Sequence, residues 1–184
     1  MSNWYPSDPE MYEDVQTRWQ YFNVATKKSP EKRLQRLWYG SRDSARTPVQ
    51  WSAEENAGFT TGTPWFYVNE NYVDVNVAEQ EKGEDSVLNF YRKAIALRKS
   101  LSCVRNGGYK EYGKHSADVY TYAREDEKEK LLVVCSYTEK PVKFAAPKGF
   151  DMEKAHLVLQ NYAAPEAARL QPYETRVYLW EKQE

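Results

Sequence analysis

Apolar residues recur every three to four positions in the first forty residues, which predicts two short helices arranged as a hairpin. Ser7 or Asp8 is placed to cap the first helix, and Pro9 lies in its first turn. Ser29 followed by Pro30 gives the second helix the same kind of start. The apolar positions of the two helices are Met11, Tyr12, Val15, Trp19, Phe22, Leu34, Leu37 and Trp38.

The periodicity is lost between Gly40 and about Gly83, where prolines, glycines and asparagines interrupt the sequence. An irregular stretch of roughly forty residues is unusual inside a compact domain unless it is functional or lies over another surface. We therefore expect this stretch either to carry function or to cover a surface that the chain itself does not supply.

Residues 84–101, EDSVLNFYRKAIALRKSL, form the strongest predicted helix. Asp85 or Ser86 is placed to cap it, and Arg98 and Lys99 favour its negative end. Its apolar band is wider than a simple surface helix requires, so we expect it to be covered on more than one side.

After Asn106-Gly107-Gly108 the sequence changes to short β-prone runs separated by polar or Pro/Gly turns. The runs are 119–124, 131–137, 142–147, 156–162 and 175–182. They predict a small antiparallel, β-sandwich-like domain with the charge run 125–130 at a hairpin tip. The predicted fold class is α+β, with helices and a long loop in residues 1–105 and the β domain in residues 106–184.

Composition excludes several functional classes. The 184 residues carry 26 basic and 27 acidic side chains, and the net charge of −1 gives no field that favours nucleic acid or an anionic membrane. No apolar run approaches the roughly 20 residues of a membrane helix, and the first residues lack signal-peptide features, so a cytoplasmic location is the expectation. Cys103 and Cys135 have no metal-ligand spacing and are interpreted as buried free thiols.

The sequence also lacks the short motifs of hydrolytic, redox and phosphoryl-transfer sites, and it predicts no metal site and no cofactor. His115 and His156 are isolated from any orienting partner. Asp43 stands between Arg42 and Arg46, a pattern that indicates an ion pair bracing the loop.

Taken together, four segments resemble a known family: SRDSARTPVQW (41–51), NAGFTTGTPWFYVNENYVDVNV (56–77), SVLNFYRKAIALRKSL (86–101) and LQPYETRVYLW (170–180). They are similar to the C-terminal third of the oligo-1,6-glucosidases and α-glucosidases of glycoside hydrolase family 13, to which trehalose-6-phosphate hydrolases are related. The resemblance runs from about residue 9 to the end of the chain.

The resemblance implies the end of a TIM-barrel enzyme that retains anomeric configuration and carries an antiparallel β domain after the barrel. Residues 1–83 would follow barrel strand 8, residues 84–101 would be barrel helix 8, and residues 106–184 would be the β domain. The catalytic aspartate, glutamate and second aspartate would lie upstream of Met1, so no catalytic residue is assigned here. The expected function is a C-terminal fragment of an α-glucosidase that is inactive alone. The alternative is a non-catalytic carbohydrate-binding or protein-interaction module.

By the same resemblance, Arg46 would contact an α-linked glucosaccharide in the complete enzyme, and its guanidinium suits that task because it donates several hydrogen bonds in a fixed geometry. The surrounding loop is given a structural role through Arg42, Asp43, Thr47, Pro48, Gln50 and Trp51. The sequence departs from the family pattern at Gln16, Trp19, Ser44, Val49 and Ser52. A homodimer or a barrel-containing partner chain would cover the apolar surface that the missing barrel leaves exposed.

Overall fold

The computed structural model describes residues 4–182. The chain divides into two compact units, Met1–Ser86 and Val87–Glu184. They are the first and the second unit.

The first unit is mainly helical and irregular. Helix α1 is Val15–Trp19, and it continues into a π-helical turn, Gln20–Val24. Helix α2 is Pro30–Gly40 and helix α3 is Val77–Lys82. Short 3₁₀ turns occur at Pro9–Met11, Arg42–Ala45, Glu55–Gly58 and Glu70–Val73.

Local capping explains where these helices begin. The Ser29 side chain accepts a hydrogen bond from the Lys32 N–H, so α2 begins where the sequence predicts. The first helix differs from the prediction, because the chain from Pro9 forms only a 3₁₀ turn and α1 begins after Asp14. Asp14 caps α1 by accepting a hydrogen bond from the Thr17 N–H at 2.9 Å.

Aromatic side chains supply much of the core of the first unit. The ring of Trp4 lies 5.5 Å from that of Tyr12, 5.3 Å from that of Phe66 and 5.2 Å from that of Tyr67. Tyr12 and Phe66 are buried, as is Leu37 on α2. This aromatic cluster holds the N-terminal turn against the irregular stretch that follows α2.

The second unit contains helices α4, Val87–Ser100, and α5, Ser102–Asn106, followed by seven strands in the part of the chain that the structure describes. The strands are β1 Gly108–Tyr112, β2 Val119–Glu125, β3 Glu129–Ser136, β4 Val142–Lys143, β5 His156–Gln160, β6 Arg169–Leu170 and β7 Thr175–Glu181. A five-stranded antiparallel sheet has the order β1-β2-β3-β7-β5, and β4 pairs with β6 in a second, two-stranded sheet.

The five-stranded sheet is covered on both faces. On one face Leu131, Val133, Val177 and Leu179 pack with Leu97 of α4, Leu101 between the two helices and Cys103 of α5. On the other face Leu132, Val134 and Tyr178 pack with Leu170 of β6 and with partly buried Phe144 and Phe150. The α+β class with an antiparallel sheet agrees with the sequence prediction.

The second unit begins at Val87, and Leu97 and Leu101 contribute to the core of its sheet. Some elements of this unit differ from the expectations. Strands β1 and β6 and helix α5 have no counterpart among the predicted elements. Cys103 is buried and Cys135 is half-buried, and both are free thiols.

Candidate functional site

The candidate site of the first unit is built on the turn that carries Arg46. The 3₁₀ turn Arg42–Ala45 is capped by Ser41, whose Oγ accepts a hydrogen bond from the Asp43 N–H at 3.1 Å. The Arg46 N–H donates to the Asp43 carbonyl at 2.9 Å and closes the turn. These local bonds fix the backbone from which the Arg46 side chain projects.

Asp43 is fully buried and joins this turn to the N-terminal segment. Its Oδ2 accepts hydrogen bonds from the Glu13 N–H at 2.9 Å and from the Asp14 N–H at 3.0 Å. Its Oδ1 lies 3.7 Å from Nη1 of Arg46. The burial of Tyr12, together with the nearby charge of Asp43, raises the pKa of the tyrosine to about 12. Asp43 therefore ties two segments together that are thirty positions apart.

Asp14 is the second carboxylate beside the arginine. Its Oδ1 lies 3.6 Å from Nη1 of Arg46, and its Oδ2 accepts a hydrogen bond from the Thr17 hydroxyl at 2.7 Å. The same hydroxyl lies 3.2 Å from Oγ of Ser41. Burial acts to raise the pKa of Asp14, but the hydrogen bonds from Thr17 and the charges of Arg42 and Arg46 outweigh it and lower the pKa below its ordinary value.

This lowered pKa predicts acid sensitivity. A carboxylate whose pKa is lower in the folded state stabilises the fold above its unfolded pKa of about 3.9. That contribution is lost as the pH falls through the folded pKa. We expect the free energy of unfolding to decrease below about pH 4 and to decrease less steeply in Asp14→Asn. Denaturant unfolding at pH 7, 5, 4 and 3 checks this, and parallel curves for both proteins would contradict it.

The residues that follow Arg46 anchor the loop to helix α3. Thr47 is buried, and Gln50 is also buried and donates from Nε2 to the Val75 carbonyl at 2.7 Å. The Gln50 carbonyl accepts from the Val77 N–H at 2.9 Å, and the Trp51 carbonyl accepts from the next N–H of the helix at 3.0 Å. The loop thus satisfies two of the backbone donors that a helix N-terminus leaves unpaired.

The group that this arrangement exposes to solvent is the guanidinium cation of Arg46. A glycosidase acid needs a raised pKa, whereas the pKa of Asp14 is lowered, so Asp14 does not suit proton donation. Asp43 is engaged by two backbone N–H groups and by Arg46. The Arg46 side chain is 44% exposed. Its guanidinium is therefore oriented by two buried carboxylates and still reaches solvent. Residues 4–182 contain no cluster of three or more His, Cys, Asp or Glu side chains that could hold a metal.

The structure brings together only part of what the sequence singles out. Asp43 and the exposed Arg42 lie in the turn Arg42–Ala45. Arg46 and the buried Thr47 and Pro48 follow it directly. Trp51 anchors the loop through its backbone carbonyl, while its side chain is 52% exposed. Sequence reasoning missed Asp14 and Thr17. Their spacing of three residues, Asp-x-x-Thr, matches a helix cap and was the available signal.

The chain is similar to proteins of a known family. Residues 10–107 match the family described as "Alpha amylase, catalytic domain". The chain is 38% identical over 178 residues to the probable oligo-1,6-glucosidase 2 of Bacillus subtilis (strain 168), which covers 94% of this chain and 32% of that protein. The chain belongs to the α-amylase family, glycoside hydrolase family 13. It is also 36% identical over 176 residues to the oligo-1,6-glucosidase of Parageobacillus thermoglucosidasius, with 92% of this chain and 31% of that protein covered.

Solved structures of the α-amylase family agree with this assignment. The crystal structure of the Bacillus licheniformis trehalose-6-phosphate hydrolase superposes with a TM-score of 0.91 at 34% identity, covering 99% of this chain and 34% of that protein. The isomaltulose synthase of Klebsiella superposes with a TM-score of 0.85 at 34% identity, covering 97% of this chain and 33% of that protein. The chain thus spans about a third of the length of the curated relatives it matches. No helix in residues 4–182 is long and apolar enough to cross a membrane.

Proposed function

We propose that this chain serves as part of an α-glucosidase, in which it presents Arg46 to an α-linked glucosaccharide while a catalytic barrel supplies the reacting carboxylates. The observation that carries the proposal is the orientation of Arg46 by two buried aspartates, with 44% of its side chain exposed. A guanidinium held in this way donates to sugar hydroxyls and stabilises the ionised form of nearby carboxylates. The oligo-1,6-glucosidase relatives support the substrate class.

Alone, the chain is proposed to be inactive. Retaining hydrolysis of glycosides needs two carboxylates about 5 Å apart, one acting as nucleophile and one as acid and base. Asp14 and Asp43 are the carboxylates closest to Arg46 in the described residues, and both are committed to hydrogen bonds and ion pairs. The described strand pairs are all antiparallel, so they do not form part of a parallel barrel sheet.

Helix α4 supports docking to a barrel. Val87, Tyr91 and Ile95 follow one another at intervals of four residues and therefore lie on one face of the helix. They are 68%, 63% and 49% exposed. A stripe of three large apolar side chains on a 14-residue helix is the kind of surface that proteins cover with a partner. We assign this face to a barrel-bearing polypeptide rather than to a homodimer.

A chimeric enzyme tests the proposal. The corresponding third of the Bacillus subtilis oligo-1,6-glucosidase 2 would be replaced by this chain, and hydrolysis of p-nitrophenyl α-glucoside would be measured for the chimera and for the isolated chain. We expect turnover by the chimera alone. Arg46→Ala in the chimera should lower kcat/KM about 100- to 1,000-fold, the usual loss when one preorganised electrostatic contact to the reacting centre is removed.

Lys82→Ala is the control, since it removes an exposed cation of the same unit outside this turn and should change kcat/KM less than about threefold. Equal losses of kcat/KM in the two variants would show that Arg46 does not contact the substrate. Turnover by the isolated chain that disappears in Arg46→Ala would overturn the proposal, because the carboxylates would then lie within these 184 residues.

The alternative function, carbohydrate binding without catalysis, has one observation in its favour. Trp19, Trp51 and Trp65 are 57%, 52% and 65% exposed, and indole faces stack on sugar rings. Titration of the isolated chain with isomaltose, maltose and trehalose distinguishes the two functions. Heat of binding at millimolar ligand, combined with an inactive chimera, would favour the binding module.

A further inference from the structure

The first unit contains a pocket between α1, the π-helical turn and α2. Its volume is about 130 Å³, and its lining includes Trp19, Tyr21, Val24, Arg33, Arg36 and Leu37. Pockets for whole small molecules usually measure about 300–1,000 Å³. The space corresponds to roughly four waters at about 30 Å³ each, so it holds one small chemical group rather than a saccharide.

The charge of this pocket is uncompensated. The lining includes the guanidinium groups of Arg33 and Arg36, and none of the described residues that line it is acidic. Arg36 has no ion pair among the described residues. The surrounding stretch, residues 27–36, contains five basic residues and one acidic residue. Two cations next to apolar side chains attract a small anion more strongly than they would in open solvent.

Arg33 is held in place, but one of its hydrogen-bond donors has no partner in residues 4–182. Its Nη1 donates to the Tyr21 carbonyl at 3.0 Å, and its guanidinium carbon lies 4.6 Å from the centre of the Tyr21 ring. Its Nε is buried and has no hydrogen-bond partner within residues 4–182. A buried donor that is part of a charged group is costly to leave unpaired, and an anionic oxygen would satisfy it.

The backbone around the pocket is also unusual. The Ala25 N–H donates to the Gln20 carbonyl at 3.0 Å, a bond that spans five residues and defines the π-helical turn. Such turns widen a helix locally and are frequent at functional sites. Here the turn contributes Tyr21 and Val24 to the wall of the pocket.

We propose that this pocket binds a phosphate group, either as the free anion or as the phosphomonoester of a small sugar. Two guanidiniums three residues apart on α2 offer several donors to the three oxygens of a phosphomonoester, which matches their preference for bidentate binding. The sugar of a phosphomonoester would extend past Arg36 into an open depression of about 580 Å³, which the 77% exposed Tyr39 also lines. The proposal uses none of the Arg46 site and does not depend on the proposed glucosidase function.

Calorimetric titration of the 184-residue chain tests the site with three ligands: sodium phosphate, glucose 6-phosphate and glucose. We expect both phosphates to bind at a ratio of one to one and glucose not to bind. Arg36→Gln should weaken phosphate binding at least tenfold. Because Arg36 is exposed, the variant should keep its far-UV circular dichroism. Lys82→Gln, which removes a charge outside the pocket, is the matched control and should bind as the unaltered chain does.

The two phosphate sources are separated by the same titrations. Tighter binding of glucose 6-phosphate than of phosphate, with the difference removed by Tyr39→Ala, identifies a sugar phosphate as the ligand. Equal affinities identify the free anion. The proposal fails if neither phosphate binds, or if Arg36→Gln and Lys82→Gln have the same affinity.

Discussion

Arg176→Ala is expected to lower the free energy of unfolding of the second unit by about 3–5 kcal/mol, the usual cost of breaking a buried ion pair by removing one partner. Arg176 is 1% exposed and Glu174 is fully buried. Nε of Arg176 donates to Oε1 of Glu174 at 2.7 Å, Nη1 donates to the Glu166 carbonyl at 2.7 Å, and Nη2 donates to the Arg169 carbonyl. The substitution removes all of these bonds and leaves a buried carboxylate without its countercharge.

The effect reaches beyond the pair, because the guanidinium joins the chain around β6 to strand β7. Glu174 also accepts a hydrogen bond from the Gln171 N–H at 2.6 Å, which closes the turn between these strands. Hydrogen exchange of the β3 and β7 amides measures the opening of this sheet separately from the first unit. We expect their exchange to accelerate in proportion to the lost stability.

Two further variants decide the cause of that loss. Lys154→Ala breaks an exposed pair, in which Lys154 and Asp151 are 80% and 54% exposed, and should cost at most about 1 kcal/mol. Arg176→Met combined with Glu174→Gln removes both charges and should lose less than the sum of the single changes. If Arg176→Ala were no more destabilising than Lys154→Ala, the buried pair would not stabilise the sheet.

The sequence predicts elements well where the deciding interactions are local. Helix α2 begins at its Ser29 cap as expected, and α4 lies within the helix predicted for residues 84–101. Four of the β-prone runs become β2, β3, β5 and β7, because each pairs antiparallel with another of these strands. The pairing of β5 with β7 shifts register between Leu157 and Leu159. Strand β1 was missed because its sequence, Gly-Tyr-Lys-Glu-Tyr, is polar enough for an edge that pairs on one side only.

The prediction fails where a distant residue decides the local structure. The apolar period from Pro9 favours one continuous helix, but the N–H groups of Glu13 and Asp14 donate to Asp43 instead of to helical carbonyls. The separation along the chain also explains why the sequence predicts only part of the candidate site. The neighbouring Arg42 and Arg46 predict an ion pair with Asp43, whereas Asp14 comes close to Arg46 only in the folded chain.

Asp43→Ala is expected to lower the free energy of unfolding of the first unit by about 2–4 kcal/mol. The carboxylate accepts the buried N–H of Asp14 and the part-buried N–H of Glu13, and a buried donor left unpaired costs about 1–3 kcal/mol. Denaturant unfolding followed by tryptophan fluorescence measures this loss, because five of the six tryptophans lie in residues 1–86. Asp74→Ala, which truncates an exposed aspartate of the same unit, should change stability by less than about 0.5 kcal/mol.

Asp43→Asn separates the two tasks of this side chain. Its amide oxygen can still accept the N–H groups of Glu13 and Asp14, so we expect it to recover most of the stability lost in Asp43→Ala. The negative charge beside Arg46 is nevertheless gone, and the guanidinium loses one of its two orienting carboxylates. In the chimeric glucosidase Asp43→Asn should therefore reduce kcat/KM while the protein stays folded. A fully active Asp43→Asn chimera would show that Asp43 braces the loop without positioning Arg46. Equal destabilisation by Asp43→Ala and Asp74→Ala would show that Asp43 does not brace the loop either.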